Sequence, residues 1–206
     1  MAVFPRAGAA FVLCAPSGTG KTTLAAKLLR TFTRLTFSIS YTTREPRAGE
    51  TDGREYFFIN KSEFLRLAEE EYFAEWAEVH GHYYGTPLQT ARKLLAAGSD
   101  VLFDVDVQGA KQLAKAFPEA FFAFLLPPSC AELERRLRIR ETEQESSIAL
   151  RLFNAVNELK EAEWFDAWII NDDIDKSFAD ICSAYRSACL NPQLRAGFLS
   201  QLLKQF

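Results

Sequence analysis

The chain has 206 residues, 48% of them hydrophobic and 25% charged, which are ordinary values for a globular protein with a buried core. A formal net charge of -3 argues against nucleic-acid binding driven by charge, and the four cysteines form no CxxC pair that would predict a zinc site or a disulfide framework. No apolar stretch approaches a membrane span in length, and residues 1–6 are too short for a signal peptide. The sequence therefore predicts a cytoplasmic protein with no membrane partner, and it leaves monomer or homodimer open.

The first predicted elements are a strand at residues 11–14, a glycine-rich turn at 15–22 and a helix at 23–30. The turn reads Ala-Pro-Ser-Gly-Thr-Gly-Lys-Thr, and a strand, such a turn and a helix in succession are typical of a phosphate-binding P-loop. The strict motif begins with glycine, whereas this chain has Ala15. We interpret Ala15 as tolerated, because the position ends the strand and needs only a small residue. The alternative is an ordinary strand–turn–helix connection.

The residues of this turn suit nucleotide phosphates. Gly18 and Gly20 let backbone N–H groups curl around phosphate oxygens without a Cβ in the way. Lys21 is placed to bring a cation to the β- and γ-phosphates, and the Thr22 hydroxyl to ligate Mg²⁺. The residues predicted to bind the nucleotide here are Ala15, Pro16, Ser17, Gly18, Thr19, Gly20, Lys21, Thr22 and Thr23.

Strands and helices alternate along the rest of the chain. Further strands are predicted at residues 37–41, 100–106, 120–126 and 168–170, with helices at 107–117, from 130 onwards and at 176–189. This alternation favours an α/β fold, in which a parallel sheet carries helices on both faces. Ligands of such sheets bind at the carboxyl ends of the strands, so we expect Asp104, Asp106 and Asn171 to lie beside the P-loop.

Two segments interrupt the alternation. Residues 37–95 are dense in Arg, Tyr, Glu and Gly and contain short strand-like pieces such as 55–59, while residues 137–147 are charged. We predict a single domain, 1–206, whose core comprises residues 1–36, 96–136 and 148–206, with a substrate-binding insertion at 37–95 and a lid at 137–147. A core with two insertions is typical of a kinase that closes over two substrates and excludes water.

Residues 40–50, Ser-Tyr-Thr-Thr-Arg-Glu-Pro-Arg-Ala-Gly-Glu, resemble the guanylate kinase signature. Segments 73–77, 81–86, 104–109 and 171–173 are also similar to that family, in the right order. The resemblance runs from about residue 11 to about residue 185. It implies an enzyme that transfers the γ-phosphoryl group of ATP to GMP, and to dGMP, with Mg²⁺, giving ADP and GDP.

The resemblance also implies an acceptor site. Arg44 and Arg47 lie three residues apart on a turn-rich segment, and two guanidinium groups suit a phosphate dianion. Guanine offers N1–H and an exocyclic amine, for which Glu75 is the implied acceptor; the alternative for Glu75 is the polar face of an amphipathic strand. The implied GMP-binding residues are Ser40, Arg44, Arg47, Glu50, Tyr56, Glu75, Tyr84, Gly85, Thr86 and Asp106.

Phosphoryl transfer needs positive charge around the transferring group more than a covalent intermediate. The implied catalytic residues are Lys21, Arg44, Arg140 and Arg151; the lid departs from the family pattern in having Glu141 after Arg140. Arg136 and Asn171 are implied for ATP binding, and Thr22 and Asp104 for the metal. The alternative for the helix carrying Arg136 and Arg140 is a charged face, with arginines at 136, 138 and 140 pairing glutamates at 132, 134 and 141.

Three other functions compete with this one on parts of the sequence. A GTPase is rejected, since Asn60-Lys61-Ser62-Glu63 fails the N-K-x-D motif and precedes the D-x-x-G match at 106–109. A non-catalytic guanylate-kinase-like interaction module is the stronger rival, but such modules typically lose the P-loop lysine that this chain keeps as Lys21. A P-loop kinase for another small acceptor requires the match at residues 40–50 to be accidental.

Overall fold

The computed structural model describes residues 6–79, 81–140 and 145–206, with residues 140 and 145–147 described by their backbone only. Nine strands, eight α-helices and two 3₁₀ turns lie within these ranges. In chain order they are β1 (Ala10–Cys14), α1 (Lys21–Thr31), β2 (Leu35–Phe37), β3 (Tyr41–Thr42), β4 (Phe57–Phe58), α2 (Lys61–Glu69), β5 (Phe73–Val79), β6 (His82–Pro87), α3 (Leu88–Ala96), β7 (Asp100–Val105), α4 (Val107–Ala116), β8 (Phe121–Leu126), α5 (Cys130–Arg140), α6 (Glu145–Lys160), a 3₁₀ turn (Ala162–Trp164), β9 (Ala167–Ile170), α7 (Ile174–Ala188), a second 3₁₀ turn (Pro192–Arg195) and α8 (Phe198–Leu203).

A five-stranded parallel sheet forms the core, in the order β2-β7-β1-β8-β9. The central strand β1 is buried along its whole length, and its residues alternate between two hydrophobic clusters. Phe11 and Leu13 join the cluster that includes α1 and α7, while Val12 and Cys14 join the one that includes α3 and α4. A parallel sheet with helices on both faces is thus confirmed.

A second, four-stranded sheet lies between β2 and β7 in the chain, with the order β4-β3-β6-β5. Phe64 of α2 stacks on Phe73 of β5 at a ring-centroid distance of 4.6 Å and gives this sheet its own small core. Its strands fall within the predicted insertion at 37–95. The last helix of that segment, α3, packs instead with the core sheet through Ala91 and Leu95.

The predicted strand at residues 37–41 is wrong as a single element. β2 ends at Phe37 in the core sheet, and β3 begins at Tyr41 in the second sheet. The Ser38 backbone N–H still bonds Leu102 O at 3.0 Å, and two residues later Ser40 O accepts a bond from Phe57 N at 2.9 Å. An alternating apolar and polar pattern is the same whichever sheet the chain pairs with, so it does not reveal the crossing. The predicted strand-like piece at 55–59 is reduced to β4.

Two helices flank the predicted lid. α5 extends to residue 140 and α6 begins at residue 145, so part of the lid at 137–147, including Glu141, lies outside the described residues. Ser129 Oγ accepts a hydrogen bond from Glu132 N at 3.1 Å and caps the start of α5. Among the helices of the described ranges, none is both long and apolar enough to cross a membrane.

The end of the core sheet opposite the P-loop is held by a buried carboxylate. Asp100, at the start of β7, is 0% exposed and accepts from Arg6 at 2.6 and 2.8 Å, from Ala9 N at 2.7 Å and from the Tyr185 hydroxyl at 2.5 Å. Leu194 is buried close by, and its carbonyl accepts from Ala7 N at 2.9 Å. These bonds join the N-terminal segment, β7 and α7.

Candidate active site

The glycine-rich turn leaves β1 and enters α1 with a backbone that requires glycine. Gly18 has φ 90° and Gly20 has φ 94°, both in the left-handed region. A Cβ on Gly20 would lie 2.6 Å from Asn171 Nδ2, so a side chain there would displace the asparagine. Thr19 is fully buried, and its hydroxyl donates to Pro16 O at 2.7 Å. The turn is therefore fixed from within and from the neighbouring strand end.

Lys21 extends from the start of α1 to the carboxyl end of β7. Its Nζ lies 2.6 Å from Asp104 Oδ1 and donates to Val105 O at 2.9 Å. Burial opposes the charge on Lys21, but Asp104 outweighs it and the lysine pKa is raised, so the ammonium stays charged. Thr22, next in the helix, is exposed. The sheet order thus places Lys21, Thr22 and Asp104 at one edge, as the strand-end argument predicts.

Asn171 connects the P-loop to α5. It is 5% exposed, and its Nδ2 donates to Thr19 O at 2.6 Å. Arg136 Nη2 donates to Asn171 O at 2.9 Å, while Arg136 Nε donates to Glu132 Oε1 at 2.8 Å. Arg136 therefore contacts the strand end beside the P-loop and also pairs with Glu132 on its own helix. The predicted ATP-site position and the alternative of a charged helix face each describe part of this geometry.

An open cleft of about 490 Å³ lies beside the P-loop, between α5 and the loop after β9. Its lining residues are Gly18, Gly20, Thr23, Arg135, Arg136, Ile139, Asn171, Asp172 and Ile174. Asp172 lies at the predicted strand end next to Asn171, whereas Arg135, Ile139 and Ile174 were not predicted from the sequence. Ile139 is 69% exposed although apolar, and an isoleucine one helical turn beyond Arg136 was the available signal for an apolar wall.

Arg151 brings α6 to the P-loop. Its Nη2 donates to Ser17 Oγ at 2.6 Å, a contact between residues 134 apart in sequence. Ala155, one turn further along α6, is buried against Leu133 and Leu137 of α5. The side chain of Arg140 lies outside the described residues, so its predicted catalytic role stays a prediction.

In the second sheet, Arg44 is held by Glu50. Arg44 Nη2 donates to both carboxylate oxygens of Glu50, at 2.8 and 2.9 Å, and Arg47 N donates to Glu50 Oε2 at 2.8 Å. Burial opposes the charge on Arg44, yet its bonds to Glu50 and Tyr84 raise its pKa. The Arg44 Cζ lies 5.5 Å from the ring centroid of Tyr56. Glu50 therefore fixes the direction in which the Arg44 guanidinium points.

The two adjacent tyrosines of β6 face opposite sides. The Tyr84 ring meets the Tyr56 ring edge-on, with centroids 5.9 Å apart, beside Arg44. Tyr83 stacks on Phe64 at 5.4 Å, in the small core of the second sheet. Because side chains alternate along a strand, Tyr84 lies with Arg44 in the predicted site, and Tyr83 lies in the small core of the second sheet.

Glu75 is a buried carboxylate in β5. It is 6% exposed, whereas Trp76 beside it is 38% exposed, so the alternative of a polar, solvent-facing strand side does not describe Glu75. A register shift between Phe73 and Glu75 turns the carboxylate inward. Thr86 Oγ1 donates to Glu75 Oε1 at 2.6 Å, and Ser40 Oγ lies 3.5 Å from Thr86 Oγ1. Burial, with a smaller contribution from Asp106, raises the pKa of Glu75 to about 7.

Asp106 and Gly85 complete the predicted acceptor set. Asp106 caps α4, where its Oδ1 accepts from Gly109 N at 2.8 Å. A Cβ on Gly109 would lie 3.0 Å from Glu75 Oε2, so the start of α4 packs directly against that carboxylate. A Cβ on Gly85 would lie 2.9 Å from the Phe73 ring, which gives Gly85 a packing reason to be glycine.

Comparisons with known proteins agree with one another. A family model described as guanylate kinase matches residues 7–188. The chain is 55% identical over 204 residues to the guanylate kinase of Oleidesulfovibrio alaskensis, covering 99% of each chain, and 54% identical over 199 residues to that of Nitratidesulfovibrio vulgaris, covering 97% of this chain and 96% of the relative. The crystal structure of guanylate kinase from Anaplasma phagocytophilum superposes with a TM-score of 0.79 at 32% identity, over 98% of this chain and 96% of that one.

Proposed function

The chain belongs to the guanylate kinase family, and we propose that it transfers the γ-phosphoryl group of ATP to GMP or dGMP, giving ADP and GDP or dGDP. The observation that carries the proposal is the pairing of two sites on one chain. Lys21 stands in an intact P-loop, and Glu75 stands buried in a polar pocket of the second sheet. A scaffold module has no need of the first site.

The donor half holds ATP. The P-loop amides and Lys21 bind the phosphates, and the base lies in the cleft that Arg136 and Asn171 border. Lys21 must exchange its contact with Asp104 for phosphate oxygens, whose negative charge then takes over from Asp104 in favouring the charged ammonium. Positive charge at the γ-phosphate stabilises the charge that spreads over its oxygens during transfer.

The acceptor half holds GMP. Arg44, Arg47, Tyr56 and Tyr84 donate hydrogen bonds to its phosphate, and Glu50 orients Arg44. The ionised Glu75 accepts from guanine N1–H and the exocyclic amine, assisted by Ser40, Thr86 and Asp106. Adenine offers no donor at the equivalent ring nitrogen, so this pocket rejects AMP. The phosphate of GMP is nucleophilic at neutral pH, and the transfer needs no general base.

Mg²⁺ fits the residues beside the P-loop. Thr22 offers a hydroxyl and Asp104 a carboxylate, and oxygen is the ligand type that Mg²⁺ takes. Within the described residues no three acidic, His or Cys side chains form a metal cage, which suits an ion bound mainly by phosphates and water. When bound there, Mg²⁺ would neutralise negative charge on the phosphates of ATP.

Closure of the lid completes the site in this proposal. Arg151 already contacts Ser17 of the P-loop, and Arg140 stands at the end of α5. The two arginines supply positive charge over the transferring group and exclude water. We retain the division into core, GMP-binding insertion at 37–95 and lid at 137–147. Cytoplasmic location and a monomer or homodimer remain predictions.

The test is a coupled assay of ADP release with ATP and Mg²⁺, comparing GMP with AMP, UMP and CMP. We expect GMP to be the preferred acceptor, and equal rates with GMP and AMP would refute the proposal. Lys21→Ala should lower kcat at least about 100-fold while GMP still binds, since one donor to the transition-state charge is lost. Lys27→Ala is the matched control, because Lys27 lies on the same helix and its ammonium contacts the exposed Asp175 and the Phe178 ring. A wild-type chain that binds GMP without turnover would favour the interaction module.

A further inference from the structure

Helix α6 meets the site at a second point besides Arg151. Glu158 lies seven residues, or two helical turns, beyond Arg151 and therefore on the same face of the helix. The residues just after it are anchored, since Leu159 packs with the core cluster and Ala162 is 3% exposed within it. The Glu158 carboxylate is thus held at a fixed place beside the floor of the active site.

In the described part of the chain, one oxygen of the Glu158 carboxylate has no hydrogen-bond donor. Its Oε2 is buried and unpartnered within the part of the chain that the structure describes. Leaving a buried acceptor without a hydrogen bond costs about 1–3 kcal/mol, and more when the group is charged. Unpartnered buried carboxylates are therefore rare in folded proteins unless they have a function. Helix α6 is held in place by Leu159, which packs against the core, and by Ala155, which packs against α5. The Glu158 carboxylate adds no hydrogen bond through its buried Oε2 to this packing.

The charges facing Glu158 belong to the active site. Lys21 of the P-loop stabilises the charge on Glu158, whereas Asp106 at the start of α4 opposes it, and Cys14 of β1 lies within reach of the same charges. Burial is the largest effect and, with Asp106, raises the pKa of Glu158 to about 7. Glu158 is therefore within electrostatic reach of Lys21.

Lys21 has three N–H donors, of which Asp104 and Val105 O accept two. In the proposed function Lys21 exchanges its contact with Asp104 for phosphate oxygens when ATP binds, so the ammonium then loses this carboxylate partner. Among the described residues, Glu158 offers a carboxylate oxygen that is buried, unpartnered and within electrostatic reach of Lys21.

We propose that Glu158 is a positioning residue for Lys21, whose carboxylate accepts from the ammonium once Asp104 has been released and so aims the remaining donors at the transferring phosphate. This role rests on the proposed kinase activity. Because Glu158 and Arg151 lie on one helix, the same contact links the position of Arg151 to that of Lys21. A bond that forms only in the loaded site acts on kcat more than on substrate binding.

The test compares Glu158→Gln with wild type and with Glu161→Gln in the full-length protein. Glutamine keeps the shape of the side chain and removes the charge. Glu161 is the matched control, because it lies near the same helix end and pairs with Lys111 at 2.8 Å on the surface. We expect Glu158→Gln to lower kcat about tenfold, equivalent to about 1.4 kcal/mol, with the KM for ATP and GMP changed less than about threefold.

Thermal unfolding without substrates supplies a readout that separates positioning from stability. Removing an unpaired buried charge should leave the melting temperature of Glu158→Gln equal to or above that of wild type, and Glu161→Gln should match wild type in kcat. The proposal is overturned if Glu158→Gln keeps the wild-type kcat, or if its kcat and melting temperature fall together. If wild type itself does not phosphorylate GMP, the proposed function has failed rather than the role of Glu158.

Discussion

Replacing Glu75 by glutamine should weaken catalysis and stabilise the protein at the same time. Glu75 is 6% exposed, and burial raises its pKa from 4.5 to about 7, a difference equivalent to about 3 kcal/mol. The unfolded chain ionises this carboxyl first, so the free energy of unfolding falls as the pH rises from about 4.5 to 7 and is level above. Glutamine cannot ionise, and Thr86 can still donate to its oxygen.

The same substitution that stabilises the folded chain should weaken its interaction with GMP. Guanine presents two donors to Glu75, whereas a glutamine amide accepts from one and opposes the other with its own N–H. We expect Glu75→Gln to lower kcat/KM for GMP about 30- to 1000-fold, equivalent to about 2–4 kcal/mol. The charge-assisted hydrogen bonds between the carboxylate and guanine are replaced by one good bond and one mismatched contact. The variant should bind ATP as wild type does, and its rate of phosphoryl transfer should be limited by weak binding of GMP.

Protonation of Glu75 gives a second, independent signature. With a pKa near 7, most of the carboxyl is protonated at pH 6, so guanosine binding should be about tenfold weaker at pH 6 than at pH 8. Guanosine is used because the phosphate of GMP titrates in the same range. Calorimetric titration of wild type and Glu75→Gln measures this, and the variant should show no such dependence.

Two results would refute this account of Glu75. One is a variant whose kcat/KM for GMP stays within about threefold of wild type, since the carboxylate would then not read guanine. The other is a variant that unfolds at lower urea concentration than wild type at pH 8. Glu158 shares the raised pKa, so the comparison is between variant and wild type at each pH and not between pH values alone.

Two further variants test the supports of the site and of the fold. Glu50→Gln should raise the KM for GMP about tenfold with a smaller change in kcat, because Arg44 loses its paired carboxylate, and initial rates at varied GMP measure it; an unchanged KM would show that Glu50 does not orient Arg44. Asp100→Asn should lower the free energy of unfolding by about 3 kcal/mol at pH 7, because the Arg6 guanidinium, whose side chain is 11% exposed, loses its charged partner. Burial opposes the charge on Asp100 but Arg6 outweighs it and lowers its pKa, so this stability is present above about pH 4 and is lost as the pH falls below it. Urea unfolding at pH 7 and pH 3 should therefore separate variant from wild type by more at the higher pH, with kcat unchanged.

The sequence predicts the parts of the site that local chemistry encodes. A strand, a glycine-rich turn and a helix define the P-loop at residues 15–22, and carboxyl ends of parallel strands bring Asp104 and Asn171 to it. The inward side chain of Glu75 is harder to predict, because a register shift in β5 puts a charged residue inside and Trp76 outside. Periodicity alone predicts the reverse arrangement.

Contacts between distant elements were not predictable from one sequence. The bond from Arg151 to Ser17 and the place of Glu158 beside Lys21 depend on how α6 packs, and nothing in the residues of α6 names its neighbour. The split of residues 37–41 between two sheets is of the same kind. Each depends on tertiary packing, which a local pattern does not contain.

Asp106 connects the two halves of the site through charge. It occupies its position because the turn from β7 into α4 needs an N-cap, and its Oδ1 accepts from Gly109 N at 2.8 Å. From that place its negative charge raises the pKa of Glu75 in the acceptor half and of Glu158 beside Lys21. A residue fixed by the needs of a helix end therefore influences both guanine recognition and the charge around the P-loop lysine. Since both carboxylates are buried, each responds to this shared neighbour more strongly than a solvated group would.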